Sequence, residues 1–361
     1  MPSQRILENV EVIIIPSFQE RIKLTSLDWT EIFPQKALMR VIALVSGRIF
    51  AGPDLNRNED YIRCTVMFAV EAYPIIDAMR KYPKFLRPLA QYWIPECRKP
   101  EENIRTMMKL LKPVIQNRIE SGERPHDMLT WVMENCPSGK ATDLRWQAMY
   151  QLQIATAAMH TTSITITHIW FDLAGHPEYI PILREEILEV MKTEPSGVLT
   201  KTGVPKLKKL DSFIKESQRM NPFSSTSFSR KIKKPTRFHD GFYIPPDVTI
   251  TFPVSQISMD PDIYVSPETF DGLRFYNLRN EPGNESKYQY TTTGKDWLNW
   301  GHGVHACPGR FFAANEIKII MIYLLLNYEI KIPDGEGRPK NLWTEGGMVP
   351  DASKAVLVKQ R

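Results

Sequence analysis

Near the C-terminal end, the run NWGHGVHACPGRFF, Asn299 to Phe312, gathers three glycines, two histidines and one cysteine ahead of a long apolar stretch. Its spacing is Trp300-x-x-Gly303-x-x-x-Cys307-x-Gly309. Glycines on both sides of the sulfur let the backbone approach something flat and bulky, and they permit positive φ where the chain turns. Pro308 limits the loop just past the cysteine. A helix opening within a few residues would face its N–H groups and positive dipole end back toward Cys307, an environment that favours thiolate over thiol. A thiolate held over a flat cofactor is what an axial haem ligand requires.

Two plainer readings compete at this level. One is a structural cysteine buried in a turn. The other is a zinc site built from His302, His305 and Cys307, for which the sequence supplies neither a fourth ligand nor the usual paired spacing. Cys64, Cys97 and Cys136 form no CxxC pair with one another or with Cys307. That argues against a disulfide scaffold and for a reducing compartment.

The elements that must position this loop read as mainly helical. Apolar residues recur at mixed three and four spacing over Leu38 to Phe50, Tyr61 to Lys81 and Asn103 to Ile119. Asp143 is a plausible N-cap for a very long helix, unbroken by Gly or Pro until Gly175 and Pro177. At about 1.5 Å per residue it would run roughly 45 Å. Helices follow at Tyr179 to Lys192 and Leu210 to Met220. The segment from Arg230 to Gln256 then changes style. Short β-branched runs such as Val248 to Phe252 alternate with turns at Asp240-Gly241 and Pro245-Pro246, as in a small sheet. Beyond the glycine-rich loop, Asn315 to Leu326 is apolar enough for a buried helix. There are no repeats and no low-complexity tracts, so residues 1–361 read as one mainly α domain with a small β region.

The 361-residue chain is 42% hydrophobic and 24% charged, with a net charge of +5. That charge is too modest and dispersed for a nucleic-acid partner. Basic residues gather at Lys206, Lys208 and Lys209, and at Arg230, Lys231, Lys233 and Lys234. They form either a solvated face or a docking patch for an acidic partner protein. The run VEVIIIPSF, residues 10–18, is too short and too punctuated for a signal peptide. Trp146 to Phe171 has no Asp, Glu, Lys or Arg, but its Gln, Thr, Ser and His make a poor membrane span.

The ten residues WGHGVHACPG resemble the haem-binding loop of the cytochrome P-450 family, whose signature is Phe-x-x-Gly-x-x-x-Cys-x-Gly. Cys307 matches the thiolate ligand to the haem iron, and Gly303 and Gly309 match the two glycines. Trp300 stands in place of the Phe. His305 falls where the family often sets a basic group near a haem propionate. The resemblance extends upstream. Glu216 and Arg219 in ESQR match the family's structural pair, and PETFDGLRF puts Arg274 in the role of their third partner. Glu102 and Arg105 share the same spacing but lie elsewhere in the order. In AAMHTTS, Ala157 and Ala158 are small enough for porphyrin and O2 to approach. Thr161 matches the proton-relaying alcohol, and His160 replaces the usual acid, a substitution that can still move protons.

With SGRIFAGPDLNRNEDY, Ser46 to Tyr61, this is similar to fungal secondary-metabolism members. The resemblance implies the mainly α cytochrome P-450 fold, here N-terminally truncated, without the membrane anchor, the first strands and the helix bearing Trp-x-x-x-Arg; Trp93 and Arg98 do not replace that pair. It implies a haem-thiolate monooxygenase acting with O2 on an apolar, terpenoid- or polyketide-like metabolite. Electrons would come from an NADPH-dependent flavoprotein reductase, with the protein a monomer at the cytosolic face of the endoplasmic reticulum. A reductase-independent haem-thiolate isomerase or dehydratase, and a non-catalytic remnant, are the alternatives.

Overall fold

In the computed structural model of the chain, residues 28–361 are described apart from Gln91, Ser196, Val198 and Glu345. The run at 10–18 lies outside the described residues. The chain divides into two compact units, one holding residues 35–163 and the other residues 28–34 with 164–361.

The first unit is helical. Helix α1, Pro34–Phe50, buries Leu38, Val41, Ile42, Val45 and Ile49, one face of a 3.6-residue period. Helix α2, Glu59–Arg80, is started by Asn58, whose side-chain oxygen accepts the amides of Asp60 (2.9 Å) and Tyr61 (3.1 Å). Helix α3, Arg98–Ser121, presents Ile104, Met107, Leu111 and Ile115 to a core shared with Tyr61, Cys64 and Leu129, and it stops at Gly122 in the left-handed region. A short helix not expected from the sequence, α4 (Met128–Asn135), follows. Its cap Asp127 accepts the Thr130 amide at 2.9 Å and pairs with the buried Arg118 at 2.6 Å. One carboxylate thus both starts a helix and neutralises a buried cation.

Helix α5, Leu144–Gly175, has 32 residues, or about 48 Å. Asp143 caps it, accepting the Trp146 amide at 3.0 Å. Its second half is largely buried: Ile166, Ile169, Trp170, Phe171 and Leu173 are buried there together with the polar Thr167, His168 and Asp172.

In the second unit, α6 (Tyr179–Thr193) precedes α7 (Lys208–Met220), in which every residue from Leu210 to Arg219 is buried. Strand β1 (Thr30–Ile32) will join the C-terminal sheet. The region expected to be β holds two ribbons: β2 (Ser227–Lys231) pairs antiparallel with β5 (Thr249–Phe252), and between them β3 (Thr236–Arg237) pairs with β4 (Tyr243–Ile244). A six-residue helix, α8, spans Arg274–Arg279. Helix α9 runs Arg310–Asn327, starting five residues earlier than expected. Its first turn, Arg310-Phe311-Phe312, reads in sequence as the tail of the glycine-rich loop.

Strand β6 (Tyr328–Lys331) continues directly from α9, a β7–β8 ribbon (Leu342–Trp343, Met348–Val349) follows, and β9 (Val356–Gln360) closes the antiparallel order β1–β9–β6. This C-terminal sheet was not legible in the sequence. Among the described residues, no helix is long and apolar enough to cross a membrane.

Candidate active site

The cysteine turn is set by its own main chain. Gly301 N donates to Leu298 O (2.8 Å), Ala306 N to Gly303 O (3.0 Å) and Cys307 N to Trp300 O (2.7 Å). Gly301 and Gly303 have φ of 68° and 67°, the left-handed region where a side chain strains the backbone. At Gly301 a Cβ would also lie 3.3 Å from the His305 carbonyl oxygen. Gly309 caps α9, and a Cβ on it would sit 4.0 Å from Cys307 Sγ. Arg310 folds back so that Nη1 donates to Cys307 O at 2.8 Å. The Trp300 indole N–H donates to Tyr290 O at 2.8 Å, and the two rings meet edge to face with centroids 5.2 Å apart.

Among the described residues, the exposed surface of this turn carries large apolar side chains beside His302 and His305. Val304 is 96% exposed and Phe311 56% exposed, while the Cys307 thiol between them in sequence is half-buried and in no disulfide. Exposed aliphatic and aromatic side chains around a single sulfur, with glycines at 303 and 309, suit a broad flat apolar group. Among the described residues no group of three or more His, Cys, Asp or Glu side chains could hold a metal ion. His305 ends the short 3-10 turn and is exposed; His302 Nδ1 lies 3.2 Å from Thr293 Oγ1. Burial, then the charges of Asp211 and Cys307, hold the Tyr290 phenol above its usual range.

Glu216, Arg219 and Arg274 come together. The Glu216 carboxylate accepts Arg219 Nε and Nη2, both at 2.8 Å, and Arg274 Nε at 3.2 Å to each oxygen. It also accepts the Asp271 amide at 3.0 Å. The remaining guanidinium donors reach main-chain carbonyls: Arg219 those of Ser258 and Pro267 (2.7 Å each), Arg274 that of Thr269 (2.9 Å). Two cations on one fully buried carboxylate are tolerable only because these carbonyls share the load. The look-alike pair behaves differently. Arg105 lies 3.6 Å from Glu101 rather than bonding Glu102, with its side chain 70% exposed.

Thr161 and His160 lie on the part of α5 that belongs to the first unit. Both are half-buried, and Ala157 is exposed. The Thr161 hydroxyl donates to Ala157 O at 2.7 Å, the back-bond that threonine makes to the preceding turn. The His160 carbonyl accepts the Ser163 hydroxyl at 3.0 Å.

Two polar clusters of the second unit escaped the sequence reading. Asp211 Oδ1 lies 2.5 Å from Lys318 Nζ, and its Oδ2 accepts Arg279 at 3.3 Å and the Tyr290 amide at 2.9 Å. Lys318, alone among the apolar residues Ile317, Ile319 and Ile320, was the available signal, because a lysine inside such a run is rarely buried without a carboxylate. The second cluster centres on Asp172, which accepts Ser217, Asn221 and Arg338, with His168 Nδ1 3.5 Å from Arg338. Burial, then the Arg338 charge, pushes His168 down to about 3, while burial raises Asp172 against the pull of Arg338.

Over residues 6–358 the chain matches the cytochrome P-450 family model. It belongs to the cytochrome P-450 family, a family of haem-thiolate proteins. It is 44% identical over 359 residues to cytochrome P-450 monooxygenase ORF5 of Penicillium roqueforti (strain FM164), covering 99% of this chain and 66% of that one. The same identity and coverages hold for the monooxygenase prx8 of Penicillium rubens. Identity to the monooxygenase BOA4 of Botryotinia fuckeliana is 36% over 362 residues, covering 99% and 72%. The chain thus spans just under two thirds of the first two relatives. The fold is also that of the retinoic acid-bound cyanobacterial CYP120A1, with a TM-score of 0.74 at 18% identity, covering 99% of this chain and 76% of that one.

Proposed function

We propose that the chain works, as one haem-thiolate domain, in a monooxygenase that places one oxygen atom from O2 into an apolar small molecule. Its substrate in this reading is a terpenoid-like fungal secondary metabolite, and its electron donor an NADPH-dependent flavoprotein reductase. The observation that carries this reading is the cysteine turn: one sulfur among left-handed glycines, pinned by its own amide and carbonyl at the start of α9. Haem, when bound, supplies the dioxygen chemistry.

The protein's contribution follows from its residues. Cys307 would hold the iron as thiolate, with Gly303 and Gly309 leaving room for the macrocycle and Trp300 shielding the sulfur. His305, exposed on the same turn, would offer a basic group to a propionate. Glu216, Arg219 and Arg274 fix the chain that packs behind the turn. Thr161 holds a proton at Oγ1, and His160 replenishes it.

The back-bond from Thr161 to Ala157 favours a second reading, in which no proton relay is used and the protein is a haem-thiolate isomerase or dehydratase. Turnover without NADPH and O2, unchanged in Thr161→Ala, would select it. The primary test is the absorbance of the reduced, carbon monoxide-treated protein. A thiolate-type Soret band in the parent and its loss in Cys307→Ser are expected. No such band in either protein overturns the proposal and leaves a non-catalytic chain.

A further inference from the structure

Trp300 stands where the family signature has phenylalanine, and the exchange adds an N–H. That N–H has a definite acceptor, the Tyr290 carbonyl oxygen at 2.8 Å. Residues 289–290 are themselves gripped by α7. Asp211 accepts the Tyr290 amide at 2.9 Å, and Lys215, one turn further along the same helix, donates to Gln289 O at 3.0 Å. Neither grip is loose. Asp211 is 5% exposed and carries Lys318 and Arg279 as counterions, so its position is fixed from α8 and α9 as well. Lys215 lies between the rings of Phe275 (4.7 Å) and Trp297 (4.4 Å). At the other end, the Trp300 carbonyl accepts the Cys307 amide at 2.7 Å.

A continuous hydrogen-bonded path therefore runs from Asp211 through the main chain of Tyr290 and the indole of Trp300 to the amide of Cys307. Ring packing alone would be served equally by phenylalanine; only the indole N–H closes the path. We propose that Trp300 is a positioning residue, tying the cysteine turn to the segment anchored by Asp211, so that this buried ion cluster holds the Cys307 sulfur in place as a thiolate ligand. This rests on the haem-thiolate reading above.

Loss of one buried hydrogen bond of about 1 kcal/mol corresponds to about a fivefold change in an equilibrium constant. The test uses the full chain loaded with haem, reduced and treated with carbon monoxide, in four forms: parent, Trp300→Phe, Asp211→Asn and the double variant. The readouts are the ratio of thiol-type to thiolate-type Soret bands and the ferric/ferrous potential. Trp300→Phe is expected to raise that ratio about fivefold and to shift the potential. The double variant is expected to be no worse than the more severe single one, because both cut the same path. Where Asp211→Asn does not fold, Asp211→Asn with Lys318→Met replaces it, removing one of the two buried cations left over. A Trp300→Phe protein matching the parent in both readouts overturns the inference, as does a double variant whose effects multiply. A parent without any thiolate-type band fails the haem-thiolate reading itself, and that is seen before any variant is compared.

Discussion

Replacing Glu216 by Gln keeps the side chain's shape and removes one charge at a site that serves two cations. In the native arrangement both carboxylate oxygens are used twice or more, by Arg219 at 2.8 Å, by Arg274 at 3.2 Å and by the Asp271 amide at 3.0 Å. Glutamine offers one accepting oxygen, and its NH2 would point at a guanidinium. Arg219, fully buried, then keeps its charge with only carbonyls as partners. Breaking a buried pair in this way costs about 3–5 kcal/mol, against which a typical fold holds only about 5–15 kcal/mol in reserve. Urea unfolding of the chain, followed by circular dichroism, should show an unfolding free energy lowered by that amount at unchanged slope. The matched control is Arg105→Ala, which removes an exposed 3.6 Å pair and should cost no more than about 0.5 kcal/mol. A Glu216→Gln loss below about 1 kcal/mol, or one equal to the Arg105 control, would refute the claim that this cluster braces the fold.

In the first unit, Arg118→Met leaves Asp127 buried without its cation and should cost about 3–5 kcal/mol, read by circular dichroism during urea unfolding. Gly272→Ala places a Cβ 2.7 Å from Phe213 Cδ2 and 2.9 Å from Tyr179 Cε1 and should cost about 1–3 kcal/mol by overpacking, measured the same way. His168 is held near 3 when folded but near 6.5 when unfolded, so only the unfolded chain takes up its proton between those values. Its contribution is present above pH 6.5 and is lost as pH falls toward 3, at about 1.4 kcal/mol per pH unit. A pH series of unfolding free energies for His168→Phe should therefore fall less steeply than the parent's over pH 6 to 4; equal slopes would contradict the assignment.

Helices with a cap and a stop signal were legible in the sequence: Asp143 and Gly175 bound α5 as read, since both act through local backbone chemistry. The cysteine turn was legible for the same reason, two of its glycines, Gly301 and Gly303, standing where φ is positive. Strands β1, β6 and β9 were not, because three to five residues pair across most of the chain's length and leave no local period. Buried charges were equally opaque. ESQR and ENIR have the same spacing, and only tertiary packing makes Glu216 a hub and leaves Arg105 in solvent. Asp211 reads as an ordinary surface acid at the start of α7 until Lys318, more than a hundred residues later, is seen beside it.

The most direct measurement is iron K-edge X-ray absorption on the haem-loaded chain and on Cys307→Ser. One sulfur in the iron's first coordination sphere of the parent, absent from the variant, is the predicted result. A parent whose iron has only nitrogen and oxygen neighbours, or a sulfur that persists in Cys307→Ser, would contradict the account.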